Sequence, residues 1–311
     1  MSGRGLQTRG AASGARRWGA ASGARRWGAA SGARRWGAAP GARRRGVLDA
    51  VDELGTALLF VAHALRAAAT APVRQGRETL RVTTEVGLGT GVLAMFGGSL
   101  AILGFITLFA GATVAVQGYN SLGDIGVEAL TGFLAAYVNI RVVAPVTAGV
   151  GLAATIGAGT TAQLGAMRIS EEIDALEVMA VDPVRYLVGT RIVAGLLTVI
   201  PLYSLSVLAS FLASRVATVA VLGQSPGVYD HYFSTFLNPV DVVWSFAQAV
   251  AMALTVMIIH TYYGFTAAGG PAGVGMATGR AVRMSLTAVV LVTLLISLAL
   301  YGDAPTVRLA G

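Results

Sequence analysis

The chain has 311 residues, of which 55% are hydrophobic and only 12% are charged. Soluble globular domains carry about 25% charged residues, so this composition excludes an ordinary soluble domain and indicates a polytopic membrane protein. The sequence has no cysteine, which excludes disulfides, thiolate metal sites and cysteine nucleophiles. The net charge of +8 comes from a tail, because the first 45 residues hold eleven arginines and no acid, whereas the remaining 266 hold twelve arginines and fifteen acids.

The N-terminal tail is repetitive. Residues 11–46 repeat the motif AASGARRWG with a period of nine, and the fourth copy is degenerate. Such a composition cannot bury a core, so we expect residues 1–46 to be disordered. Two interpretations stay open. The tail is either an arm that binds anionic lipid through its arginine pairs and tryptophans, or a repeat expansion with translation beginning near Val47.

A helix without enough apolar length to cross a bilayer follows the tail. Apolar residues recur at three- and four-residue spacing over residues 47–69, which predicts a helix. Acids, His63 and Arg66 interrupt the apolar run, and a transmembrane helix needs about 20 apolar residues. We therefore expect an interfacial helix, followed by a polar connector that completes a segment 47–91.

Five uncharged apolar runs come next, and each is long enough to span a bilayer. They cover roughly 92–117, 142–165, 192–214, 242–263 and 284–302. Leaving the tail aside, nine arginines fall on the side of the N-terminus and three on the other side, so the positive-inside rule places the N-terminus in the cytoplasm. The predicted fold is all-α, a plasma (inner) membrane protein with five spans in a domain 92–305 and an outer C-terminal tail 306–311.

The connector between the second and third spans is acidic. Residues 169–187, ISEEIDALEVMAVDPVRYL, hold five of the fifteen acids. We expect a cytoplasmic helix over 170–181, with Ser170 as its N-cap and the Asp182-Pro183 pair as its end. At 100° per residue the helix has an acidic arc and an apolar arc. The first is formed by Glu171, Asp174 and Glu177, and the second by Ile173, Leu176, Met179 and Ala180. Such a helix either docks into a basic-rimmed protein groove or packs only on its own protein.

Two motifs of this sequence resemble those of the MlaE/YrbE permease family. The first is TAQLGAMRISEEIDALEVMAVDPVRYLV at 161–188, and the second is GFTAAGGPAGVGMATGRAVRMSL at 264–286. Members of that family are the membrane subunits of ABC transporters that work with MCE-domain lipid carriers. The resemblance covers about residues 50–305, with both motifs in the expected order and spacing.

The resemblance implies a coupling helix that sits in a groove of the ATPase subunit. The matching residues are Glu171, Glu172, Ile173, Asp174, Ala175, Leu176, Glu177, Val178 and Met179, with Asp182, Pro183 and Arg185 in the turn that follows. The second motif, a glycine-rich turn before the last span, maps onto Gly273, Val274, Gly275, Arg280 and Arg283. The chain departs from many members at Gln163, where they have Glu. The first motif is most similar to B-type YrbE subunits, which implies a heterodimer with an A-type paralogue, or else a second copy of this chain.

No catalytic site is expected. The sequence has no GxxxxGK[ST], HExxH or GxSxG, so ATP would be bound by a partner, and we expect no catalytic residue, cofactor, metal or nucleic acid. His260, near the end of the fourth span, is expected to be a packing or interfacial residue and not a ligand.

The predicted function is one permease half of an ABC importer for lipids, sterols or other hydrophobic molecules. The outer segments 118–140 and 216–241 contain the aromatic residues Tyr119, Tyr137, Tyr229, Tyr232 and Phe236. These residues either contact MCE proteins or form ordinary aromatic belts at the membrane interface. The alternative is a membrane scaffold that tethers an ATPase and MCE proteins without transport. A secondary transporter is disfavoured, because no charge pair lies inside the apolar runs.

Overall fold

The structure, a computed structural model, describes residues 47–88 and 101–301. Over these residues the chain is helical and contains no strand, which confirms the predicted all-α class. The repeat tail 1–46, the predicted span residues 92–100 and the C-terminal residues 302–311 lie outside the described ranges.

Two helices precede the first span: α1 is Val47–Arg74 and α2 is Gly76–Leu88. The segment predicted as a polar connector is helical. An Arg81–Glu78 ion pair at i,i+3 spacing closes to 2.7 Å on α2, and Thr79 and Val82 are buried. The segment thus has a polar and a buried face, and burial of one face is what stabilises most protein helices.

The next elements are helical segments that follow one another with short connections. Helix α3 is Ala101–Gly123. A stretch of three α-helices follows: α4 Thr131–Val138, α5 Ala144–Leu152 and α6 Ala158–Ile169, joined by the π-helical segments Asn139–Val143 and Ala153–Gly157. A short helix, α7, then covers Glu172–Val178.

The second half of the chain repeats this pattern of long helices. Its elements are a π-helical segment Val184–Gly189, α8 Thr190–Val216, a π-helical segment Ala217–Val221, α9 Pro226–Phe236, α10 Pro239–Phe265 and α11 Gly270–Tyr301. Each of the five predicted spans corresponds to one of the long helical stretches, and each stretch is longer than predicted wherever the structure describes the end in question.

Six helical stretches within the described ranges are long and apolar enough to cross a membrane. Five correspond to the predicted spans, and the additional one is Gly55–Arg74 in α1, which the sequence assigned to the interface. The stretch qualifies because α1 continues without a break through Pro72 to Arg74, well beyond the predicted end near residue 69.

Small residues allow the helices of the bundle to approach closely. Helices α5, α8 and α10 enclose a core whose fully buried side chains include Leu152, Ile192 and Met252. Gly149 faces Met252, and Gly195 faces Met257 so closely that an added Cβ would overlap its side chain. Close backbone approach through small residues is the usual way in which transmembrane helices pack.

Candidate functional site

Helix α7 is the centre of the candidate site, and it is shorter than predicted. It covers seven residues, Glu172–Val178, instead of 170–181. The prediction that Ser170 caps it was wrong: the Ser170 backbone N–H donates to the Ala166 carbonyl at 3.0 Å, which closes α6. Glu171 occupies the N-cap position with a left-handed φ of 62°. A left-handed residue reverses the chain direction, so α6 and α7 are separate helices.

The C-terminal end of α7 is a Schellman motif. The Val181 N–H donates to the Leu176 carbonyl, and the Ala180 N–H donates to the Glu177 carbonyl, both at 3.0 Å. Ala180 has a φ of 59°, which is the left-handed conformation that this motif requires. The prediction that Asp182-Pro183 ends the helix was therefore wrong, since the chain has already left the helix before it reaches that pair.

The apolar side of α7 is divided between the protein itself and solvent. Ile173 is fully buried in a cluster with Leu164 and Leu187, and Leu176 packs against the same cluster. Val178 and Met179 point outward, with 88% and 64% of their surface exposed. One part of the apolar surface of α7 therefore packs on its own protein, as one of the two interpretations predicted, and docking of the exposed part stays a prediction.

The acids of α7 lie on its exposed surface. Glu171, Glu172, Asp174 and Glu177 are all exposed. Asp174 pairs with Arg168 at the end of α6, with 2.7 Å between Nη1 and Oδ1. A Glu172 carboxylate oxygen lies 2.8 Å from the Ser170 hydroxyl. Glu171 and Glu177 belong to no ion pair among the described residues, so their charges face outward.

Asp182 starts the next element instead of ending α7. Its Oδ1 accepts from the backbone N–H groups of Val184 at 3.0 Å and Arg185 at 3.3 Å, which caps the π-helical segment Val184–Gly189. Its Oδ2 lies 3.3 Å from Arg185 Nε and 3.1 Å from His63 Nε2. Pro183 is buried beside it. This carboxylate therefore joins the turn after α7 both to the π-helical segment Val184–Gly189 and to α1.

The second motif is in the first turns of α11, not in a turn before it, so the predicted glycine-rich turn is corrected to Thr266–Gly269. Gly273 is buried, and a Cβ there would overlap the Ala268 carbonyl oxygen. Val274 packs on Gly165 of α6, where a Cβ would lie 2.8 Å from Val274 Cγ1. Gly275 and Arg280, in contrast, are exposed.

The structure brings the two motifs together through α6. Helix α6 leads directly into α7, and it contacts Val274 of the second motif. Phe265, at the end of α10, packs on the same cluster as Ile173. Helix α7 is therefore packed against α6 and α10, and through α6 it is linked to α11.

The sequence predicted helix α1 but not that it belongs to this region. His63 was read only as an interruption of an apolar run, yet its imidazole contacts Asp182. Phe60 packs edge-on against Tyr262, with 5.3 Å between ring centroids, and lies 5.9 Å from the Phe265 ring. A local sequence pattern cannot predict such contacts, because Asp182 is 119 positions from His63 and the aromatic partners of Phe60 are about 200 positions away.

A buried histidine joins helices α6, α10 and α11. His260 of α10 is fully buried, its Nδ1 lies 2.8 Å from the Thr161 hydroxyl of α6, and its Nε2 lies 3.2 Å from the Ser285 hydroxyl of α11. Gly157 makes room for the ring, because a Cβ there would overlap the imidazole. The prediction that His260 is a packing residue is confirmed, and it is also a hydrogen-bonding one.

The opposite side of the molecule is held by charged and aromatic pairs. Arg141 Nη2 lies 3.0 Å from Asp241 Oδ2, and both side chains are less than a quarter exposed. The Arg141 guanidinium also lies 4.0 Å from the Tyr137 ring centre, a cation–π distance. This pair was not foreseen, since each partner flanks a predicted span, whereas the observed helices continue through both positions.

One aromatic residue predicted to contact MCE proteins is unavailable. Tyr229 of α9 is only 1% exposed, and its ring stacks on Phe233. Burial raises the pKa of its phenol above the usual range. Next to it, the hydrogen bond from Arg215 lowers the pKa of the exposed Asp230. Tyr229 is therefore a packing residue, and Asp230 next to it is exposed.

The described ranges contain no group of three or more His, Cys, Asp or Glu side chains that could hold a metal ion. The candidate site consists of an exposed acidic helix, an apolar cluster beneath it and a buried polar network.

Comparisons with known proteins agree with this architecture. The profile of a family described as Permease MlaE matches residues 88–299. A probable ABC transporter permease protein of Rickettsia felis is 29% identical over 184 residues, which cover 59% of this chain and 71% of that protein. The intermembrane phospholipid transport system permease protein MlaE of Haemophilus influenzae is 30% identical over 188 residues, with the same coverage of 59% and 71%. The chloroplastic protein TRIGALACTOSYLDIACYLGLYCEROL 1 of Arabidopsis thaliana is 27% identical over 199 residues, which cover 64% of this chain and 57% of that protein.

Proposed function

This chain belongs to the Permease MlaE family, and on that premise we propose that it is the membrane subunit of an ABC transporter that moves phospholipid and is driven by a separate ATPase docked on α7. Its relatives include ABC transporter permeases, and its long apolar helices make it a multi-pass membrane protein. The observation that carries the proposal is the exposed face of α7, where outward-facing acids adjoin exposed aliphatic side chains.

The geometry of α7 supports docking of a protein partner. Glu171 and Glu177 offer negative charge, and Val178 and Met179 offer apolar surface at the same end of the molecule. Anionic lipid would repel such acids, whereas a protein groove with a basic rim would pair with them. Because Ile173 is anchored in the cluster below, a force on the exposed face would be transmitted to the bundle instead of bending a loose loop.

Phospholipid is the proposed cargo because the Haemophilus relative is named for intermembrane phospholipid transport. We further propose that the transporter works with MCE proteins on the outer side, that it imports its cargo, and that an A-type paralogue or a second copy completes the permease. The motif resemblance supports the partners, and the arginine distribution supports a cytoplasmic N-terminus, outer C-terminus and inward-facing α7.

Recovery of bound partners from detergent extracts tests the proposal. Wild-type tagged protein should recover an ATPase, a second permease subunit and MCE proteins. Reversing two outward charges with Glu171→Lys/Glu177→Lys should remove the ATPase and keep the other partners, because the charge change faces only the docking groove. Asp174 is left intact, since its charge is already paired with Arg168.

A matched control is available on the other side of the molecule. Asp124 is exposed in the loop after α3, so Asp124→Lys reverses a surface charge away from α7 and should retain the ATPase. If the α7 variant retains the ATPase as well as the control does, α7 is not the docking site. If an ATPase is recovered but phospholipid movement never depends on this chain, the scaffold alternative holds instead.

A further inference from the structure

Helix α1 is attached to the coupling region at three places. His63 Nε2 lies 3.1 Å from Asp182 Oδ2. One turn further along, the α1 backbone lies directly on Gly189, where an added Cβ would be 2.9 Å from the Ala67 carbonyl carbon and oxygen. At the other side of His63, the Phe60 ring packs 5.9 Å from the Phe265 ring. The contacts lie on the side of α1 that also buries Ala64 and Ala67.

Asp182 links these contacts to α7 by a polar route. Only residues 179–181 separate it from the end of α7. Its Oδ1 caps the π-helical segment Val184–Gly189, and its Oδ2 faces both His63 and Arg185. A displacement of α7 therefore reaches Asp182 over a short linker, and from there it reaches α1 through the imidazole.

An apolar route runs in parallel. Ile173 and Leu176 of α7 share a cluster with Phe265, and Phe265 is in turn packed against Phe60 of α1. Two independent routes, one polar and one apolar, thus connect the same two helices. Contacts that are packed in this way transmit small displacements, since protein interiors have few voids and low compressibility.

We propose that His63 is a positioning residue that clamps Asp182 to α1, so that α1 and α7 move as one unit when the ATPase closes. This inference rests on the proposed function, because it requires an ATPase that displaces α7. It assigns α1 a role in coupling that goes beyond contact with the membrane. A surface hydrogen bond without this role would contribute to stability only, and the two roles predict different measurements.

The test uses the complex purified with its ATPase and reconstituted into phospholipid vesicles that contain a headgroup-labelled phospholipid. The readout is ATP hydrolysed per labelled phospholipid moved. His63→Leu should raise this ratio about fivefold or more, the effect of losing a coupling free energy at the low end of the usual range. His63→Gln, which can still donate to Asp182, should stay within about twofold of wild type, and so should Arg66→Leu, which removes an exposed polar residue one turn away on α1.

Cross-linking supplies an independent arm, because the chain has no cysteine. The variant His63→Cys/Asp182→Cys lacks the clamp, so it should show the raised ratio. Joining the two thiols with a short bismaleimide should return the ratio towards wild type, whereas His63→Cys alone with the same reagent should not change it.

The outcomes separate two kinds of failure. If His63→Leu lowers only the thermal stability and leaves the ratio unchanged, or if cross-linking stops transport while hydrolysis continues, the clamp is refuted and the proposed function stands. If the wild-type complex contains no ATPase, both proposals fall.

Discussion

The hydrogen bonds of His260 give the most direct test of the architecture. Replacing His260 with Phe keeps a flat ring against Gly157 and removes both ring nitrogens. His260 Nδ1 lies 2.8 Å from the Thr161 hydroxyl and Nε2 lies 3.2 Å from the Ser285 hydroxyl, and in either neutral tautomer one ring nitrogen donates and the other accepts. The substitution therefore removes two hydrogen bonds that join α10 to α6 and α11.

The magnitude follows from what the two hydroxyls can do afterwards. Thr161 keeps carbonyl acceptors at Gly157 and at residue 260, at 3.2 and 3.0 Å, and Ser285 keeps the Val282 carbonyl. Neither hydroxyl is left unsatisfied, so the full desolvation penalty does not apply. Two interhelical hydrogen bonds of about 0.6 to 1 kcal/mol each predict a loss of about 1–2 kcal/mol.

Thermal unfolding of the purified protein in detergent measures this loss. A change of about 1–2 kcal/mol corresponds to a fall in Tm of about 2–8 °C for a chain of this size. The matched control is His231→Phe, since His231 is exposed on α9, and a surface substitution of this kind changes stability by less than about 0.5 kcal/mol. Equal melting temperatures for the two variants would refute the reasoning.

Two further predictions concern helix contacts. Gly165→Ala should destabilise the protein by about 1–3 kcal/mol, because the new methyl group overlaps Val274. The control Gly159→Ala, whose added Cβ has no atom within 4 Å, should be neutral or stabilising. Equal falls in the melting temperatures of the two variants would contradict the assigned packing. Arg141→Leu should destabilise the protein more than Arg141→Leu/Asp241→Leu, because the single change leaves a partly buried carboxylate unpaired. A double-mutant cycle of melting temperatures measures the coupling between the two residues. Additive effects of the two single changes would show that the pair contributes nothing to stability.

The long helices were predictable from sequence, and their ends were not. Apolar runs in the sequence located five of the six long apolar helical stretches in the described residues, because crossing a bilayer needs about 20 apolar residues. The observed helices continue past charged residues such as Arg141 and Asp241, since each of these finds its partner on another helix. A search for apolar runs that stops at the first charged residue ends at Arg141, and it cannot detect that Asp241, 100 positions away, pairs with this arginine.

The ends of α7 show a different limit. Ser170 and the Asp182-Pro183 pair are ordinary signals for a helix start and stop, yet the structure ends α6 at the first and begins a new segment at the second. Left-handed backbone at Glu171 and Ala180 sets the real ends. Neither residue type favours that conformation, so only the burial of Ile173 against the bundle explains where the helix lies.

Part of the candidate site was predicted from the sequence. The acids of α7 and Gly273 were named from the sequence as residues of two cytoplasmic motifs, through the resemblance of those motifs to a known family. The contribution of α1 was not identified, because His63 reads as a polar interruption until Asp182 is placed beside it.

The π-helical segments give this chain room to absorb changes in length. The segment Ala153–Gly157 lies between α5 and α6, and a π-helical turn closes over one residue more than an α-helical turn. A one-residue deletion there would let an uninterrupted α-helix form with the faces of α5 and α6 nearly unchanged, so Thr161 would stay opposite His260. The same deletion inside α6 removes no extra residue, so it would turn the chain beyond it by about 100° and carry α7 around the helix axis. Gaps at residues 153–157 in comparisons among relatives would therefore mark preserved docking faces, and gaps inside α6 would mark rotated ones.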